Sequence, residues 1–251
     1  MPLLYFITMK NIFTFIAVLL SCGSAMAHAL WIETSTTGAA NKKQEVKVFY
    51  GEYSHGLLEK VNGDTFNKVK DFELWAVAPD GQKTLLTVTP AADYYSAWFT
   101  PKANGTYTIV LDNNKIDVLD FTKYNFGIFK THYHATAKVN VGGKAAETAT
   151  VNPDGITITD VSATNPAKDG ATTLRVLYKG QPTKDIEVAI EIGDQWGKKL
   201  KTNEKGEVSF TTSWKATYFA EATTKEEVPG TYNGKEYQFI WHCATYTLPA
   251  K

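Results

Sequence analysis

Short runs of β-branched and aromatic residues, each closed by turn chemistry, recur along the chain, and no stretch of helical period is long enough to compete with them. Residues 44–50, 72–78, 84–89, 94–100 and 105–111 read as strands. They are separated by Ala78-Pro79-Asp80-Gly81, Pro101-Lys102-Ala103-Asn104-Gly105 and Asp112-Asn113-Asn114, which favour turns. A short helical segment fits within 56–69, interrupted at Asn62-Gly63-Asp64. Residues 129–141 alternate with period two, and Gly142-Gly143 closes the run. Val151-Asn152-Pro153-Asp154-Gly155 then reads as a linker, because a proline among turn-formers breaks a crossing strand. Six more runs follow at 156–161, 171–178, 186–192, 206–212, 216–223 and 237–247. Turn signals at roughly 8–12-residue spacing are those of a β-sandwich. The expectation is an all-β protein with two immunoglobulin-like sandwiches in tandem, residues 28–150 and 151–251.

Residues 9–27 have the form of a secretory signal: Lys10 is the positive end, 12–20 the apolar stretch, and Ala25-Met26-Ala27 the small-x-small cleavage pattern. Segment 1–27 is therefore set aside from the fold, and a periplasmic location is expected. Leu19-Leu20-Ser21-Cys22 also offers a lipoprotein-type cleavage, after which the chain would be tethered by lipid at Cys22. Beyond residue 27 no apolar run approaches the ~20 residues of a membrane-spanning helix. Cleavage after Ala27 leaves Cys243 as the remaining thiol, so no internal disulfide can form. Basic and acidic groups both number 26, a balance that argues against nucleic acid as a partner.

Cleavage after Ala27 exposes His28, whose free α-amine and imidazole would together offer a metal two nitrogens. His132 and His134 lie at alternate positions of the 129–141 strand, so both point to one face with their bases ~6–7 Å apart. Imidazoles at that spacing can converge on an ion held ~2 Å from each nitrogen. A solvated polar strand face is the competing reading. His55 follows Gly51-Glu52-Tyr53-Ser54 in a loop, where Glu52 can orient the ring or add an oxygen ligand. His242 and Cys243 are adjacent on a strand and so face opposite ways, unsuited to sharing one ion. Cys243 reads as a buried apolar residue, while His242 stays open between an exposed side chain and a ligand. Nucleophile elbows, zinc-protease, phosphate-loop and dinucleotide signatures are absent from the sequence, and no enzymatic activity is expected.

His28-Ala29-Leu30-Trp31-Ile32-Glu33 directly after a signal, followed by a strand into Tyr50-Gly51-Glu52, resembles the opening of the NikM-like periplasmic family. The second half, with Leu177-Tyr178-Lys179-Gly180-Gln181-Pro182 and Thr202-Asn203-Glu204-Lys205-Gly206-Glu207-Val208, resembles that family's carboxypeptidase-regulatory-like, immunoglobulin-like module. The resemblance implies a periplasmic component of nickel or cobalt uptake that partners a membrane importer or an outer-membrane receptor, with His28 carried over as a ligand. Thr131-His132-Tyr133-His134 departs from the family's pattern, so the ion is not fixed by the likeness. A divalent transition metal is expected, among nickel, cobalt, copper and zinc, with His28, His132, His134 and His55 as candidate ligands. The Irving–Williams order favours copper where geometry does not intervene. Two other readings stay open: a structural, adhesion or glycan-binding module in which the histidines are incidental, and a copper-dependent polysaccharide oxidase.

Overall fold

The computed structural model describes residues 28–143, 146–162 and 169–250, so segment 1–27, with the signal and Cys22, lies outside the described residues. Thirteen strands of five residues or more carry the fold: β1 Ala29–Thr34, β2 Gln44–Glu52, β3 Glu73–Val77, β4 Tyr94–Phe99, β5 Gly105–Asn113, β6 Ile128–Val141, β7 Ile156–Asp160, β8 Gly170–Tyr178, β9 Glu187–Ile192, β10 Trp196–Lys201, β11 Glu207–Thr212, β12 Thr217–Glu226 and β13 Phe239–Pro249. Eleven of them coincide to within about three residues with the runs of β-branched and aromatic residues; β1 and β10 fall outside those runs, and the run at 84–89 holds only the short pairings Lys83–Leu85 and Thr89–Pro90. One four-residue helix, α1 Asp64–Asn67, occupies the expected helical segment and begins just after Gly63. No described helix is long and apolar enough to cross a membrane.

A ten-stranded sheet forms the centre, with long strands in the order β10-β9-β12-β13-β6-β5-β3. One of its faces is covered at one end by the β1-β2-β4 sheet, and the opposite face at the other end by β7, β8 and β11. Pairing between the long strands is antiparallel except between β6 and β13, which run parallel from Phe129↔Phe239 to Thr136↔Tyr246. The central sheet therefore runs across position 150/151, and the first of two cores draws on strands from both sides of it. The first core holds Trp31, Val48, Leu74, Ile109 and Val139, together with Phe219 and Cys243 from the C-terminal strands. The second is built from Ile156, Leu174, Val176, Val188, Ile190, Tyr246 and Leu248. Trp31 anchors the first: it stacks on Phe49 at 5.6 Å and meets Tyr53 and Phe219 edge-on at 5.5 and 6.0 Å. Such contacts add about 1 kcal/mol each beyond area burial.

Alternation along β6 gives its two faces different chemistry. Tyr133, Ala135, Ala137, Val139 and Val141 enter the first core, while His132, His134, Thr136, Lys138 and Asn140 form a polar row on the other face. Segment 146–162 folds across that row and satisfies much of it. Thr136 Oγ1 donates to Ile158 O at 2.7 Å, and Lys138 Nζ donates to Ser162 O at 2.9 Å. Lys138 also lies 3.5 Å from Asp160, whose carboxylate accepts from Tyr246 Oη at 2.8 Å, and both ionic side chains are buried.

Candidate metal centre

The parallel register places His132 directly opposite His242, and His134 stands two residues further along the same strand. Three imidazoles therefore share one sheet face, with one nitrogen of each within 4.8 Å of the others. An ion ~2.0–2.1 Å from each nitrogen allows its ligands at most ~4 Å of separation, so closure requires shifts of a fraction of an ångström. The rings of His132 and His242 are 5.0 Å apart at their centroids and those of His132 and His134 6.4 Å apart.

Burial separates this cluster from a solvated polar face. His134 and His242 are 4 % and 0 % exposed, and the linker turn at Asn152–Gly155 closes over them. Asn152 takes a left-handed conformation (φ 59°), which asparagine tolerates, and its side chain donates to Ile156 O to hold the turn. A Cβ on Gly155 would stand 2.9 Å from His242 Nδ1 and 3.1 Å from His134 Nε2, so only glycine leaves the space beside these nitrogens open. Both nitrogens are buried without a hydrogen-bond partner, as is His134 Nδ1. Buried polar atoms without partners are uncommon in folded proteins; a neutral ring carries one N–H and one lone pair, so these three nitrogens amount to two unshared lone pairs, one on His134 and one on His242, and one unpaired N–H.

Carboxylates stand behind two of the rings. His242 Nε2 lies 2.9 Å from Glu226 Oε2, and Glu226 is itself held by Lys179. Donation from Nε2 to Glu226 leaves the lone pair on Nδ1, the nitrogen that faces Gly155. Asp112 Oδ1 lies 3.4 Å from His134 Nδ1, within ion-pair distance but without hydrogen-bond geometry, so both atoms stay buried and unpartnered. Carboxylates of this kind orient metal-binding histidines in many proteins. The Lys179 ammonium and the His242 ring hold the Glu226 carboxyl down at about 2 against the opposing effect of burial. Burial pushes His132 and His134 down to about 3 and lowers His242, so all three rings are neutral at ordinary pH, the form that binds metal. One group opposes a cation here: Lys130 Nζ is 3.2 Å from His132 Nε2 and also bonds to Asn114 O.

His28 and His55 gather elsewhere. His28 Nδ1 is 3.2 Å from Glu52 and its Nε2 2.8 Å from Glu59, while His55 Nδ1 is 3.4 Å from the other oxygen of Glu52. Tyr133 Oη donates to the His28 carbonyl, which places His28 on the face of β6 opposite the row of His132 and His134. The structure thus brings His132 and His134 together and keeps His28 and His55 apart from them. The two carboxylates approach opposite nitrogens of the His28 ring and do not aim at one point. His242 is the member the sequence left undecided: it is buried, because the linker turn covers a face that alternation alone leaves open. Cys243 points away from it into the first core, where its thiol lies 3.4 Å from Glu221 Oε1.

A family model described as a domain of unknown function (DUF4198) matches residues 25–226. No curated protein matches the chain.

Proposed function

The chain belongs to the DUF4198 family of unknown function, and for this member we propose a non-enzymatic, transition-metal-binding role in the periplasm, as an accessory of nickel, cobalt or copper uptake. The observation that carries the reading is the set of unpartnered, buried ring nitrogens of His134 and His242 beside His132. Three neutral imidazoles suit a divalent ion of the nickel, copper, cobalt or zinc group, whereas calcium and magnesium favour oxygen ligands. With three protein ligands a coordination position is left for water or for a group on a recipient protein. Handover to an importer needs such a position, and the NikM-like character of the opening motif agrees with that role.

A second reading places the ion at His28. It is favoured by Glu52, whose two oxygens lie 3.2 Å from His28 Nδ1 and 3.4 Å from His55 Nδ1, and by the amine that cleavage after Ala27 would free. Calorimetric titration of the chelator-stripped protein with nickel, cobalt, copper and zinc separates the two. His242→Ala should weaken binding by at least about tenfold and His28→Ala should leave it nearly unchanged. The reverse pattern moves the ion to His28, and tight binding insensitive to both substitutions refutes both sites. Nitrogen hyperfine structure from bound copper(II) gives a check that does not depend on how well a variant folds: three imidazole nitrogens are expected.

A further inference from the structure

On the face of β6 opposite the histidine cluster lies a cavity of about 240 Å³, bounded by His28, Tyr50, Tyr133, α1 and the segment 116–121. Its walls combine Val69, Ile116, Leu119 and Phe121 with a few polar groups. Thr131 lines it from β6, is 1 % exposed, and has a hydroxyl with no hydrogen-bond partner. Lys68, also lining it, is exposed and takes part in none of the described ion pairs, so a bare cation stands at the rim while an unsatisfied hydroxyl lies at depth. Among the described residues no carboxylate lines the cavity; Glu52 and Glu59 are engaged with the ring nitrogens of His28. Ligand pockets characteristically pair apolar walls with a few placed polar groups, and drug-sized molecules need roughly 300–1,000 Å³. This cavity takes something smaller.

We propose that the cavity binds a small organic acid with an apolar or aromatic body, its carboxylate at Lys68 and a second polar atom at Thr131. The walls remove the ligand's body from water, Lys68 supplies the opposite charge, and the buried hydroxyl gains the partner it lacks. Nothing in this proposal depends on the cluster of His132, His134 and His242, because β6 lies between the two.

Calorimetric titration with 4-hydroxybenzoate, benzoate and phenol tests it on the purified protein. Saturable one-to-one binding of 4-hydroxybenzoate is expected, with phenol weaker by about tenfold or more for want of the charge. Lys68→Gln, a change at an exposed position, should weaken both acids by about tenfold and leave phenol unaffected. Thr131→Val, which keeps the side-chain shape, should weaken 4-hydroxybenzoate more than benzoate. Absence of saturable binding by either acid up to about 10 mM overturns the proposal, as do unchanged affinities in Lys68→Gln or equal losses for the two acids in Thr131→Val. Metal titration should be the same with and without 4-hydroxybenzoate.

Discussion

Gly155→Ala adds one methyl group where the structure leaves a gap beside two unpartnered nitrogens. The new carbon would lie 2.9 Å from His242 Nδ1, 3.1 Å from His134 Nε2 and 2.8 Å from Asn152 Nδ2. The Asn152 amide can swing away, but the His242 ring is held by Glu226 and both rings stand on paired strands of the sheet. No left-handed backbone geometry is recorded at Gly155, so the cost is one of packing, about 1–3 kcal/mol for a methyl forced into filled space. For a chain of this size that lowers the melting temperature by roughly 2–4 °C per kcal/mol. Metal should respond more sharply. An ion present at 100 times its dissociation constant stabilises the native protein by about 2.7 kcal/mol, or roughly 5–10 °C. In Gly155→Ala that gain should vanish, because a methyl ~3 Å from both nitrogens occupies the room of an ion bound ~2 Å from each. Thermal denaturation of both proteins, with chelator and with zinc or nickel, is the assay. If Gly155→Ala folds and keeps the full metal-dependent shift, the ion does not sit between His134 and His242.

Lys130→Met removes the cation beside His132 while keeping most of the stem, and should tighten metal binding by about tenfold or more in calorimetry. Asp160→Ala strands the buried Lys138 ammonium and the Tyr246 hydroxyl; chemical denaturation should show a loss of about 3–5 kcal/mol. Burial raises the Glu221 carboxyl to about 7, above its value in the unfolded chain. The folded state therefore holds a proton that the unfolded state releases, and this contribution is lost as pH rises from about 4.5 to 7, by up to about 1.4 kcal/mol per unit. Glu221→Gln should remove that decline in a stability–pH profile. His132 and His134 act in the opposite sense. Both are pushed down to about 3, so metal-free protein should lose stability as pH falls below about 6.5 toward 3, and replacing His134 with phenylalanine should shallow the slope.

The local patterns that the sequence carries well are those set by a few neighbours. Period-two alternation located β6 and placed His132 and His134 on one face, and glycine- and asparagine-rich turns divided most strands correctly. Two strands escaped that kind of reading. In β1 the apolar run Ala29-Leu30-Trp31-Ile32 does not alternate, because each of these residues is buried. In β10, Trp196–Lys201 is an edge strand rich in lysine and mostly exposed, with only Trp196 and Leu200 set against the second core, too few to stand out among the lysines. His242 was undecidable for a different reason. Alternation says which way its side chain points relative to Cys243, but the pairing with His132 and the cover from the Asn152–Gly155 turn depend on partners far away in the chain. Parallel pairing is set by no hairpin, so no local signal announces it.

The parallel seam between β6 and β13 also orders events in time. A chain made from its N-terminus completes β6 long before β13 exists, and residues 129–136 must wait through the synthesis of some hundred residues for their partner. During that interval β6 offers an unpaired edge able to recruit another chain, and lysines at 130 and 138 are the sort of residue that discourages such recruitment. Closing so distant a contact is slow. His242 arrives with the last strand, so the three rings cannot come together before that strand is made, and a chain clipped ahead of it would lack one member of the proposed site.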